Sequence, residues 1–299
     1  MAKVQDPTVQ RRRLRIELRK ARDTAGLKQA EVARAMDWSP SKLIRIESGQ
    51  VSISTNDLKA LLSLYGVKDT HRVNGLLELA KTTRGSSFYE QFNDLLKAGF
   101  SEYLAYEGSA SVVRQYDPVL VPGLLQTEEY GRAILSDAGW LKPEEVDRVW
   151  AVRQHRQELH DREDPPTMLF ILDEAALRRR VGRGAVMRHQ LERLIAAADE
   201  KHITLQVLPF ASGAHPGILG NFIMLEFDDP GLGDIIHVES MNEITVRDDT
   251  QIISLYLEKF YKLEELSLPP EESKEMLAEI SKEMAPDVDT TAGSTRVAS

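Results

Sequence analysis

The chain has 299 residues, of which 42% are hydrophobic and 28% charged, with no cysteine and a formal net charge of -9. That length suits two domains and that composition a globular chain, while the lack of cysteine excludes disulfides, thiolate zinc sites and cysteine nucleophiles. No apolar run approaches the roughly 18 residues of a membrane span, and no apolar segment follows the first charges, so a cytoplasmic protein without a secretory signal or membrane partner is expected.

The average charge hides two populations. Residues 1–84 carry 17 Lys and Arg against 9 Asp and Glu, a balance of +8 that leaves -17 for the rest. Only the N-terminal part is then suited to phosphates, as in a DNA-reading module joined to an acidic second domain.

In chain order, residues 1–8 read as a flexible arm. Leu14, Leu18, Ala21 and Ala25 recur at helical spacing amid Arg11, Arg12, Arg13, Arg15, Arg19 and Arg22, and Gly26 ends that helix. A second short helix is expected over 29–36 and a third over 40–48, with Ser39 as N-cap and Pro40 at the first helical position. Two more, TNDLKALLSLYG and about 70–81, complete a five-helix domain over 9–81. TTRGSS, residues 82–87, reads as a hinge. Beyond it a second domain is expected over 88–285. It opens with a long helix over 88–106, then a strand and an irregular Pro- and Gly-containing crossing into a helix. A helix over about 143–161 follows, then PTMLFIL, a helix over 185–199 and HITLQVLPF as a strand, helix, strand unit that favours parallel pairing. NFIMLEF and DIIHVES flank DDPGLG as an antiparallel hairpin. Two helices, DTQIISLYLEKFYKL and PEESKEMLAEISKEM, close the domain, and 286–299 read as a disordered tail. The fold class expected is an all-α N-terminal domain plus a larger α+β domain with a small mixed sheet.

The stretch QAEVARAMDWSPSKLIRIE, residues 29–47, carries the chemistry. Ala33 is small where two helices would cross, and Val32, Met36, Trp38, Leu43 and Ile46 form an apolar set that would fix the crossing. Ser41, Lys42 and Arg45 remain for the outer face of the third helix. Arg45 can contact guanine O6 and N7 together, a pairing worth about 1–3 kcal/mol of discrimination. Lys42 can do the same or bind phosphate, whereas Ser39, Gln29, Lys28 and first-helix residues such as Arg13 suit the phosphate backbone. With Gln29-Ala30-Glu31, Ala33, Leu43, Ile46 and Glu47-Ser48-Gly49, residues 9–80 resemble the XRE family of regulators, the Cro and CI type of helix-turn-helix. The resemblance implies a double-stranded DNA operator, a phosphate contact from Gln29 and base contacts from Ser41, Lys42 and Arg45. The family's usual turn glycine is replaced by Asp37, which tolerates a left-handed backbone.

In the second domain, YDPVLVPGLLQTEEYGRAIL, VRQHRQ and LPFASGAHPGILGNFIMLEF resemble the large C-terminal domain of unassigned function in actinobacterial regulators similar to WhiJ. That resemblance implies a developmental or secondary-metabolism regulator, in some cases one paired with a small acidic protein in an antitoxin-like unit. From the residues themselves, Arg153, Arg156 and His160 continue the stripe of Val146, Val149 and Trp150, so buried arginines must meet an anion. Asp173 or Glu174 is one candidate and an anionic ligand or partner the other. His215, Glu226, His237 and Glu239 lack the spacing of a metal site, and no metal or cofactor is expected. Without a G-x-S-x-G elbow, HExxH helix or P-loop, the chain is not expected to be an enzyme. The broad apolar face formed by Ile252, Ile253, Tyr256, Leu257, Phe260 and Leu263 is explained equally by core packing or by a homodimer contact. The sequence thus predicts a dimeric repressor or other operator-binding regulator, controlled by a small-molecule effector or a protein partner. The alternative is an antitoxin-like protein that holds a small partner and regulates its own operon.

Overall fold

A computed structural model describes residues 6–137, 139, 141–240 and 244–284. The expected tail over 286–299 and the first five residues of the expected arm lie outside the described residues. Residues 6–8 are not an arm. The side chain of Asp6 accepts from the Thr8 amide at 2.8 Å and Pro7 occupies the first turn, so the first helix, α1, spans Pro7–Thr24.

Four further helices follow, α2 (Gln29–Ala35), α3 (Pro40–Glu47), α4 (Thr55–Leu64) and α5 (Thr70–Thr82). Their ends follow local chemistry. Ser39 Oγ accepts from the Lys42 amide and Ser54 Oγ from the Asp57 amide, satisfying donors the helices leave open. Leu14, Leu18, Ala21, Val32, Leu43, Ile46, Leu58, Leu61 and Leu62 share one buried core. Met36 and Trp38 pack against it partly exposed.

The long helix expected over 88–106 is interrupted. A short 3-10 turn at Phe88–Phe92 is followed by irregular chain, and α6 spans Phe100–Glu107 behind Gly99 at φ 85°. That left-handed backbone cannot sit inside an α-helix.

The chain then builds β1 (Val112–Asp117), α7 (Glu128–Asp137), α8 (Pro143–Gln157), β2 (Thr167–Asp173), α9 (Glu174–Arg178), α10 (Gly184–Ala197), β3 (Ile203–Leu208), β4 (Phe222–Glu226), β5 (Ile235–Glu239), β6 (Ile244–Arg247), α11 (Thr250–Leu266) and α12 (Pro270–Glu283). The C-terminal region is therefore helices around a six-stranded mixed sheet of order β3-β2-β1-β4-β5-β6. β1, β2 and β3 run parallel, with Val113 opposite Met168 and Met168 opposite Ile203. The helix α10 makes the β2–β3 crossover, as the strand, helix, strand pattern predicts. One core gathers Tyr116, Ile171, Phe222, Ile236, Phe260 and Leu263. Ser273 of α12 accepts from the Val207 amide at 2.9 Å, so the edge strand β3 does not leave that donor open.

Contacts divide the described residues into two compact units, those within 1–111, 225–235 and 242–248, and those within 112–224, 236–241 and 249–299. The segment 82–87 lies within the first, where the Ser87 hydroxyl donates to Asp6 at 2.7 Å. Among the described residues no helix is long and apolar enough to cross a membrane.

Candidate nucleic-acid interface

The turn between α2 and α3 is set by Asp37. Its φ of 53° is the sole positive value outside glycine among the described residues. The Trp38 amide donates to Ala33 O at 2.8 Å and the Asp37 amide to Arg34 O at 3.2 Å. This is the paired bonding of a left-handed helix cap, and it turns the chain into the Ser39 cap of α3 within two residues. Leu43 and Ile46 face the core at 0% and 5% exposure. Helical geometry then leaves Ser41, Ile44 and Arg45 on the opposite face, where all three are exposed.

Placement of the expected readers differs in one respect. Ser41 and Arg45 lie on the outer face. Lys42 instead is half-buried, its ammonium 3.1 Å from Asp57 and 4.0 Å from the centre of the Trp38 ring. Ile44, 49% exposed, occupies the face the sequence reading gave to polar side chains alone. Its signal was present, since position 44 falls three residues after Ser41 on the same helical face.

Glu47 fixes the helix from beneath. Buried at 1% exposure, its carboxylate accepts from Arg22 Nε at 2.7 Å and Nη2 at 3.3 Å, and from Gln29 Nε2 at 2.7 Å. Arg19 meanwhile donates twice to the Glu47 carbonyl, at 3.1 and 2.7 Å. The bond to Glu47 also raises the Arg22 pKa. This network ties α1, the start of α2 and the end of α3 together, and charge alone in the sequence did not reveal it. Lys28 and Gln29 are exposed at the N-terminus of α2 and line one shallow depression with Arg19 and Arg22. The side-chain amide of Gln29 is held by Glu47, but its position at the helix start keeps it at the rim.

The arginines of α1 largely have partners within the first unit. Arg11 pairs with Glu90 at 2.6 Å and Arg13 with Asp229 at 3.1 Å. Arg15 donates to the Ser48 carbonyl. Arg12, 1% exposed, donates to the Gly233 carbonyl at 3.0 Å and lies 5.6 Å from the Tyr106 and Phe227 ring centres. Burial lowers its pKa.

In the second unit α8 ends at Gln157, short of the expected 161, so His160 lies in the turn beyond it. Arg153 donates to Gln126 and, at 3.4 Å, to the Gly131 carbonyl. Gln157 donates to the carbonyls of Gly123 and Gln126, and His160 Nε2 lies 3.0 Å from Leu124 O. These side chains therefore brace the irregular crossing that separates β1 from α7. Burial, followed by the neighbouring charge of Arg156, lowers the Arg153 pKa to about 10. Asp173 and Glu174 are not their partners. Asp173 faces His215 at 3.5 Å and Glu174 pairs with Arg178 at 2.6 Å. Arg156 packs against Gly123, where a Cβ would lie 2.7 Å from its guanidinium. It acts electrostatically on Asp117, whose carboxyl is pushed up to about 7 mainly by burial, and on His237, pushed down to about 3 by burial and by Arg156.

Residues 13–74 match the model of a helix-turn-helix domain, and residues 100–279 match that of a domain of unknown function, DUF5753. No curated protein and no solved structure matches the chain.

Proposed function

Because the chain belongs to the DUF5753 family, whose model spans more than half of it, and carries a helix-turn-helix DNA-binding module ahead of that domain, we propose that it is a sequence-specific transcriptional regulator acting on a two-fold operator. The observation that carries the reading is the outer face of α3, where Ser41, Ile44 and Arg45 stand exposed while Leu43, Ile46 and Glu47 are buried beneath them. In the major groove, Arg45 reads guanine, Ser41 reaches a base edge or phosphate, and Ile44 packs on a thymine methyl. Lys28, Gln29 and the Ser39 cap seat the module on the backbone. Lys42 positions Trp38 and the turn more than it reads bases, given its bond to Asp57.

One such module reads too few base pairs to select a site, so two copies bind half-sites about one helical turn apart. Support for a second copy comes from α11, where Ile252, Ile253, Tyr256 and Leu257 remain only partly covered by their own core and Leu255 and Tyr261 are exposed. The second unit acts by binding rather than catalysis and controls operator occupancy. A dimer seated over a promoter represses without further chemistry.

The test is selection of bound sequences from random duplex DNA by the full chain at physiological salt, where non-specific attraction is suppressed. A two-fold symmetric motif is expected. Arg45→Ala should lose about 1–3 kcal/mol at one base pair of each half-site, and unchanged preference at every position would remove Arg45 as a reader. Absence of any enriched motif would overturn the reading.

A further inference from the structure

The turn after α8 and the turn before β3 bring together three side chains that the DNA-reading function does not use. His160 Nδ1 lies 3.4 Å from His202 Nε2 and 3.7 Å from Glu200 Oε2. His202 Nε2 is 3.6 Å from the same carboxylate oxygen. A point equidistant from the three donors lies about 2.1 Å from each, the bond length that zinc makes to imidazole nitrogen and carboxylate oxygen. We propose that His160, Glu200 and His202 form a divalent metal site of the zinc class in the second unit, with at least one coordination position left to solvent or another ligand.

The surroundings favour ligation over a simple hydrogen-bonded cluster. The Leu124 carbonyl can only accept, so the contact at 3.0 Å places a proton on His160 Nε2. In the neutral ring that leaves the Nδ1 lone pair directed at the other two donors. Glu200 is oriented in the same way, since its other oxygen, Oε1, is held by Arg193 at 2.7 Å. Two of the three donors thus have a partner that fixes their direction, as the ligands of metal sites commonly do. Two imidazoles and one carboxylate suit zinc and neighbouring first-row ions. Glu200 and His202 retain 30% and 19% side-chain exposure, which gives an ion a way in. An ion here would clip the end of α8 to the turn after α10. The inference does not depend on the DNA-reading proposal.

The experiment is titration of the chelator-treated full chain with Co²⁺, followed by its visible absorption, and then displacement by Zn²⁺. One equivalent of Co²⁺ with the intense bands of a low-coordinate site is expected, together with a rise in thermal midpoint on adding Zn²⁺. His202→Gln, at a partly exposed position, should weaken binding more than the roughly 10- to 100-fold expected for Arg193→Gln, which removes only an orienting partner. His189→Gln, outside the trio, should leave binding unchanged. No stoichiometric Co²⁺ binding would overturn the assignment. So would equal binding by His202→Gln, or loss of binding in His189→Gln.

Discussion

Replacing Glu47 with alanine should loosen α3 without altering its exposed side chains Ser41, Ile44 and Arg45. The carboxylate is 2% exposed and its partner Arg22 13%, so truncation strands a mostly buried guanidinium. Breaking such a pair typically costs about 3–5 kcal/mol. Arg22 would keep the Leu27 carbonyl at 3.0 Å and Asp23 at 2.7 Å, which places the loss at the lower end, near 3 kcal/mol. A chain of two units need not unfold in one step, so the readout is amide hydrogen exchange over residues 40–51, which reports local opening. About 3 kcal/mol corresponds to exchange faster by roughly 100-fold. Glu47→Gln keeps the shape and an acceptor but loses the charge, and should lie midway, near 1.5 kcal/mol. A change in Glu47→Ala below about 0.5 kcal/mol, the range of an ordinary surface substitution, would refute the view that this network holds α3 in place.

Asp37→Gly should stabilise the first unit by up to about 1 kcal/mol, because glycine adopts the left-handed backbone without penalty. Asp37→Val should destabilise it by at least about 1–2 kcal/mol, and thermal melts showing no difference between the two variants would contradict the turn described. In the second unit, a folded Asp117 pKa of about 7 against an ordinary 3.8 gives stability present at low pH and lost as pH rises through that interval. His237, lowered from 6.5 to about 3, acts in the opposite sense, with stability gained as pH rises across its interval, so the two nearly cancel between about pH 4 and 6.5. Asp117→Asn should therefore make the unfolding midpoint climb with pH across that range relative to the parent chain, and parallel profiles would dismiss the linkage. Finally, log binding constant against log salt should fall with a slope near -3 per protomer. That slope counts about one displaced counterion for each of the exposed cations Lys28, Arg34 and Arg45, at about 0.9 per neutralised charge. A slope near -8 would mean that six arginines of α1 leave their internal partners to bind the backbone.

Short-range features were legible in the sequence because their causes are local. The Ser39 and Pro40 start of α3, the left-handed Asp37 turn and the buried set around Leu43 and Ile46 each follow from residues within one or two turns. The parallel β2 and β3 pair followed from apolar runs of strand length around a helical pattern. What failed depended on partners distant in sequence or on backbone that pattern does not encode. The 88–106 helix breaks because Gly99 takes φ 85°, a choice periodicity cannot see. His160 and His202 meet across 42 residues, so no ligand spacing announced them. Arg153 and His160 were expected to meet an anion, but the hydrogen-bond partners beside them are neutral acceptors. Backbone carbonyls of the 121–131 crossing, which carry no sequence signature, supply several of them.

Charge shows the same divide most clearly. The +8 balance of residues 1–84 reads as an electrostatic footprint for phosphates, but a count of charges assumes that each is available. Arg13 meets Asp229, while Arg12 meets the carbonyl of Gly233 and, at 3.8 Å, the carboxylate of Asp248. These partners lie more than 200 residues downstream in the acidic remainder, yet belong to the same compact unit. A guanidinium as buried as Arg12 would have to shed its acceptors and the Tyr106 ring before reaching DNA, and desolvated charge of that kind is expensive to strand. The excess of arginine in α1 is therefore largely matched from within the first unit, whereas Lys28, Arg34 and Arg45 on α2, α3 and the turn before α2 stay exposed.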